Sequence, residues 1–325
     1  MFEYREGGEH LMDNYKREDL LVNVAKLYYE FDYNQAMIAE KLHISRPYVS
    51  KLIREAKAQG VVTIKVHDPS HVETRTEKII RQKYKLQRVI VIPNITGENT
   101  LSRVCAASGN FLNNILKSGD VIALGTGQTM HLSARYLIPR NDLDNLTVVS
   151  MEGVLSNLLH SSYQQETTKA YANAFGAIPY AMPLPIFFND LACKKLAMQE
   201  PCVRQVKEYQ QKANIAIFTT SNISTGKSMS FVRQGYISEA EMKEYIQRGA
   251  ISNILHHFTD KYGMICDEYL DMRNTSMSLD LLREKEYRIC LAEGRAKIES
   301  VSAALNGGYI NVLIIDENIA EGVLS

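Results

Sequence analysis

Two groups of residues in this chain have types and spacing suited to chemistry. The first is Arg46, Tyr48, Ser50, Lys51, Arg54 and Lys57. Between residues 41 and 66 the cations Lys41, Arg46, Lys51, Arg54, Lys57 and Lys65 face one acid, Glu55. A guanidinium such as Arg46 can pair bidentately with guanine, and Ser50 can contact base or phosphate. Lys51, Arg54 and Lys57 are spaced for the phosphate backbone. The second group is Gly125, Thr126, Gly127, Gln128 and Thr129, with Lys297 far along the chain. Glycines let backbone amides approach an anion, threonine hydroxyls donate to its oxygens, and an ammonium adds charge. A glycine turn between a strand and a helix is also often no more than a tight connection.

The elements needed to hold the first group can be read locally. Ser45 suits an N-cap, Pro47 a first helical turn and Gly60 a helix exit. Between them Val49, Leu52, Ile53 and Ala56 form one apolar face, and Arg46, Tyr48, Ser50 and Lys51 begin the opposite one. Apolar residues anchor such a helix while its polar N-terminal residues enter the major groove of double-stranded DNA. Upstream, Leu21, Val24, Ala25 and Tyr28 give the stripe of an amphipathic helix. A short helix follows from Asn34 through Ala36, Ile38, Ala39 and Leu42, while the first dozen residues read as a mobile lead-in. After Gly60 the β-branched run Val61 to Val66 predicts a wing-like strand. The competing reading is a helical hairpin whose basic face is merely solvated.

The second group requires a different scaffold. Apolar runs at 88–93, 121–124, 146–150, 215–218, 288–292 and 311–315 alternate with helical segments, which predicts an α/β fold with a largely parallel sheet covered on both faces. Ligands of such sheets bind beyond the carboxyl ends of strands. The Gly125–Thr129 loop follows one of these strands, and the segment Ala292 to Lys297 follows another and opens a helix. A lysine in a first helical turn opposes the helix dipole, which favours an anionic partner there. The expected organisation is a helix-turn-helix domain at 1–68, a linker helix at 69–85 and an effector-binding and oligomerisation domain at 86–325.

Bulk properties narrow the function classes. The chain has 325 residues, zero formal net charge and ordinary hydrophobic content, so DNA binding has to rest on local charge. Five scattered cysteines with no C-x-x-C pair, and no leader-like segment, predict reduced thiols in a cytoplasmic protein. No apolar run suggests a membrane span. The histidines lack ligand spacing, and His256 and His257 would diverge on a helix. Accordingly no metal, cofactor or catalytic acid–base set is expected.

The residues resemble the SorC family of sugar-responsive bacterial regulators over nearly the whole chain. The resemblance is carried by Ile38 to Leu42, Ser45 to Ile53, the Gly125–Thr129 loop, Met182 to Pro185, Arg273 to Leu282 and, above all, Ala303 to Glu317. It implies a sensor domain related in fold to sugar-phosphate isomerases and a phosphorylated sugar or similar metabolite as effector. It also implies a homodimer or homotetramer on a palindromic operator, with Gly125–Thr129 and Lys297 holding the ligand's phosphate. The chain departs from the family pattern at Thr219-Thr220-Ser221, at Ser252-Asn253-Ile254 and at Glu293-Gly294. Bulk in place of glycine narrows a pocket, and an amide at Asn253 donates where a carboxylate only accepts. These departures leave a carboxylic acid, a free sugar or polyol, or an eroded, ligand-independent sensor open beside the sugar phosphate. A sugar-phosphate isomerase-like enzyme is the alternative from another class.

Overall fold

In a computed structural model of the chain, residues 7–62, 72–154, 163–223 and 229–325 are described. The chain divides into two compact units, Met1–Ser70 and His71–Ser325.

The first unit is built from α1 (Gly7–Tyr29), α2 (Gln35–Leu42) and α3 (Arg46–Ala58). The Asn34 side chain caps α2 by accepting from Ala36 N and Met37 N, both at 3.0 Å. α2 ends at His43, whose φ of 52° turns the chain sharply. Ser45 Oγ then accepts from Tyr48 N at 3.3 Å and starts α3. Leu21, Val24, Ala25 and Leu27 of α1, Ile38 of α2, and Val49, Leu52, Ile53 and Ala56 of α3 form the core of this unit. The mobile lead-in expected over the first dozen residues is instead helical from Gly7. Residues 9–19 contain good helix formers without an apolar stripe, so propensity extends a helix that periodicity does not mark. Of the expected wing-like strand, Val61 and Val62 form a bend, and the rest lies outside the described residues.

The second unit is organised on seven parallel strands: β1 (Arg88–Ile92), β2 (Val121–Leu124), β3 (Thr147–Ser150), β4 (Ile178–Tyr180), β5 (Ile215–Phe218), β9 (Tyr287–Ala292) and β10 (Val312–Asp316). A smaller antiparallel sheet holds β6 (Thr220–Asn222), β7 (Ser252–Ile254) and β8 (His257–Thr259). The large sheet runs β1-β10-β9-β5-β2-β3-β4. Alternate residues feed opposite faces: Ile122 and Leu124 pack on one side, Ala123 on the other. Both faces are apolar because helices cover both, as the continuous runs predict. β4, β6, β7 and β8 lie outside the apolar runs. Each spans only three residues, and the last three are rich in Ser, Thr, Asn or His, so none forms an apolar run. No helix among the described residues is long and apolar enough to cross a membrane.

The helix Arg75–Tyr84, expected within a linker, is part of the second unit. Its Ile80 is fully buried in the core beside Val89 and Ile319. Glu77, also fully buried, accepts from Thr74 N at 2.7 Å and from Val91 N at 2.8 Å, clamping the helix start to β1. At the other end Lys83 Nζ and Tyr84 OH donate to the carbonyl of Val323 at 2.8 and 2.9 Å. Replacing Glu77 by Ala should lower the stability of the second unit by about 1–3 kcal/mol, because it takes the partner from the half-buried Val91 N–H and removes a buried clamp. Urea unfolding followed by circular dichroism checks this, with Glu77→Gln expected to lose less.

Candidate functional site

On α3 the apolar positions are buried, while Arg46, Lys51, Arg54 and Lys57 are exposed. Tyr48 and Ser50 are half-buried, and Tyr48 packs against the core of the unit. Lys51 Nζ lies 3.9 Å from Glu55, whose carboxylate also accepts from Arg17 at 3.2 Å. Lys57 Nζ sits 5.8 Å from the ring centre of Tyr29. Glu55 and Tyr29 thus orient two of the cations without burying them.

In the second unit, three neighbouring strands, β9, β5 and β2, end side by side, so the residues that follow them converge. After β2 come Gly125 and Gly127. A Cβ at Gly125 would stand 2.9 Å from the Cβ of Phe218, so only glycine lets β2 pass β5 this closely. Gly127 has φ 116°, a conformation L side chains rarely adopt, and opens a helix of one and a half turns, Gln128–Ser133. Gln128 is exposed and Thr129 buried. After β9 a 3-10 turn, Arg295–Lys297, precedes the helix Ile298–Asn306. The Lys297 ammonium donates to Thr219 Oγ1 at 2.6 Å and lies 3.5 Å from Thr129 Oγ1. The lysine therefore meets the glycine loop, and the Thr219 hydroxyl joins them.

The remaining expected residue, Asn253, lies on β7 opposite Ser221 of β6. Its Oδ1 accepts from the backbone N of His256 at 2.8 Å, so the amide supports a turn. His256 and His257 lie on the β7–β8 hairpin and not on a helix, and they point to different partners. His257 bonds Asp271 and the Met277 carbonyl, whereas His256 Nε2 lies 3.3 Å from Glu152.

Two residues that meet the glycine loop were not among the expected ligand contacts: Glu152, which the sequence did not single out, and Thr219, which entered only as a departure from the family pattern. Glu152 is buried, and its carboxylate accepts from Thr126 N at 3.1 Å and from the Thr126 hydroxyl. Burial pushes this carboxyl up, but the electrostatic pull of His256 and the hydrogen bonds from Thr126 outweigh it and hold the group below the usual carboxylate range. Its position just beyond β3 was the available signal, since the loops after strands are where ligands bind. Glu293 is half-buried beside Lys297; burial and then the Asp316 charge push its carboxyl up, against the pull of Lys297. Among the described residues no cluster of three or more His, Cys, Asp or Glu could hold a metal ion.

Residues 69–325 match the family model described as "Putative sugar-binding domain". The deoxyribonucleoside regulator of Bacillus subtilis (strain 168) is 34% identical over 315 residues, covering 95% of this chain and 98% of its own. The chain belongs to the SorC family of transcriptional regulators. The sorbitol operon regulator of Klebsiella pneumoniae is 26% identical, with 96% of this chain and 100% of the relative covered. The crystal structure of that full-length regulator, SorC, aligns with a TM-score of 0.80 at 25% identity, over 94% of this chain and 98% of its own. The match gives this SorC-family chain the role of a metabolite-responsive DNA-binding regulator.

In this SorC-family chain the departures at Thr219 to Ser221 and at Ser252-Asn253 adjoin one another. β6 pairs with β7, and Thr220 Oγ1 and Ser252 Oγ both bond Ser300. Glu152 also makes a pH prediction. Its folded-state pKa lies below the unfolded value of about 4.3, so its stabilisation is present above that pH and is lost as pH falls through the lowered value. Urea midpoints measured between neutral and acid pH should fall more steeply below about pH 4 in the wild type than in Glu152→Gln.

Proposed function

We propose that the polar N-terminal half of α3 reads a double-stranded operator and that the second unit binds a phosphorylated carbohydrate which shifts that binding. The DNA-reading residues are Arg46, Tyr48 and Ser50, with Lys51, Arg54 and Lys57 on phosphates. The effector residues are Gly125 to Thr129 and Lys297, with Asn253 acting through the His256 turn. The observation that carries the ligand reading is the convergence of Lys297 Nζ with the Thr219 and Thr129 hydroxyls beside Gly127. An ammonium ringed by hydroxyl donors next to accessible backbone amides suits an anionic oxygen cluster. The relatives' roles in transcription, deoxyribonucleoside and sorbitol regulation among them, support a sensor rather than an enzyme. A homodimer or homotetramer would match a palindromic operator, because the symmetry of the protein mirrors that of the site.

The mechanism is linkage. A ligand preferring one arrangement of the protein shifts its population, and moving a 1:99 equilibrium to 99:1 requires about 5.5 kcal/mol of differential affinity. Arg46→Ala should cost about 1–3 kcal/mol at the operator and relax base preference, while Lys57→Ala should weaken all sequences alike and lower the salt slope by about one. Fluorescence anisotropy on operator and scrambled duplexes separates the two; unchanged preference in Arg46→Ala would place the reading helix elsewhere. Lys297→Ala and Thr129→Arg should abolish the shift of operator affinity by a pentose or hexose monophosphate while preserving DNA binding without ligand. A normal response in both would move the ligand site.

A further inference from the structure

Glu152 stands beyond β3 as the glycine loop stands beyond β2, and these strands are neighbours. Its carboxylate takes both the N–H and the hydroxyl of Thr126, so it faces the loop between Gly125 and Gly127. The side chain is 5% exposed, and the backbone carbonyl of Glu152 is held by the Gln164 amide. On its other side lies His256, delivered by a two-residue turn in which both Leu255 and His256 have positive φ, 50° and 64°. Side chains other than glycine rarely occupy that region, and such strain persists only where the surroundings over-determine it. Here the surroundings are the Asn253 cap on the His256 amide, the edge contact of the imidazole with Phe231 at 5.4 Å, and Glu152 itself.

The site is therefore bipolar. Past Gly127 stand Lys297, Thr129 and Thr219; before it stand Thr126 and the buried carboxylate of Glu152. We infer that Glu152 is a specificity-determining residue of the ligand site. It admits ligands with a single anionic group, held at the Lys297 end, and with hydroxyl or amino groups at its own end, and it turns away bisphosphates and phosphorylated acids. This rests on the anion-holding role proposed above for Lys297. In a poorly solvated site a fixed carboxylate repels a second anion strongly, and it accepts from a hydroxyl or ammonium that a solvated carboxylate would leave to water.

The test is isothermal titration of the full chain with matched pairs: fructose-6-phosphate and fructose-1,6-bisphosphate, ribose-5-phosphate and ribose-1,5-bisphosphate, glucose-6-phosphate and 6-phosphogluconate. In the wild type the singly anionic member of a binding pair should bind at least about tenfold more tightly. Glu152→Gln should shrink the gap to within about threefold, mainly by gaining affinity for the doubly anionic member. Doubly anionic compounds binding the wild type as well as their partners would overturn the inference and leave the anion site standing, as would a gap unchanged in Glu152→Gln. Binding of no compound to either protein would overturn the anion site and this inference with it. The wild-type ranking decides the matter by itself should Glu152→Gln fail to fold.

Discussion

The contact of the Lys297 ammonium with the hydroxyls of Thr219 and Thr129 depends on three adjacent parallel strands ending at one edge of a sheet. β9, β5 and β2 are consecutive in space although far apart in sequence, and parallel pairing sends all their exits the same way. An antiparallel sheet would scatter these loops to opposite ends. The close passage at Gly125 and the positive φ of Gly127 are local requirements of the same convergence.

Around that contact the chemistry is mixed. One cation, several hydroxyls and a buried carboxylate share a short stretch of sheet edge, with a second carboxyl, Glu293, raised toward neutrality nearby. A purely cationic pocket would attract any anion. Here the acid at Glu152 makes charge count and charge position matter, which is a basis for selectivity among metabolites. Thr219 has a further effect: its hydroxyl oxygen already accepts a hydrogen bond from Lys297, so an incoming anion has to compete with that contact.

Much of this was readable from residues alone. The capped helix from Ser45, its four buried apolar positions and the six apolar strands follow from period and punctuation, because long, regular burial leaves a pattern. Lys297 and the glycine loop were legible because each follows an apolar strand. β6, β7 and β8 were not, since Thr220, Asn222 and Ser252 tie β6 and β7 to Ser300 and Glu299 through polar side chains, which leave no apolar run to read. Glu152 and His256 were invisible as a pair because about a hundred residues separate them and a strained hairpin, with no sequence signature, brings them together. α1 was foreshortened for the opposite reason: it begins on propensity before any apolar stripe appears.

A regulator joins two binding events, and what joins them is a coupling free energy. Linkage requires that a ligand which changes operator affinity by some factor have its own affinity changed by the same factor when the operator is bound. The direct measurement is that factor in both directions: anisotropy of an in-vitro-selected operator duplex with and without a bound monophosphate, and titration of that monophosphate with and without the duplex. Equal factors of about 5–150 are expected in the wild type and none in Lys297→Ala. A monophosphate that binds tightly yet shifts operator affinity in neither protein, or shifts it equally in both, would contradict this coupling.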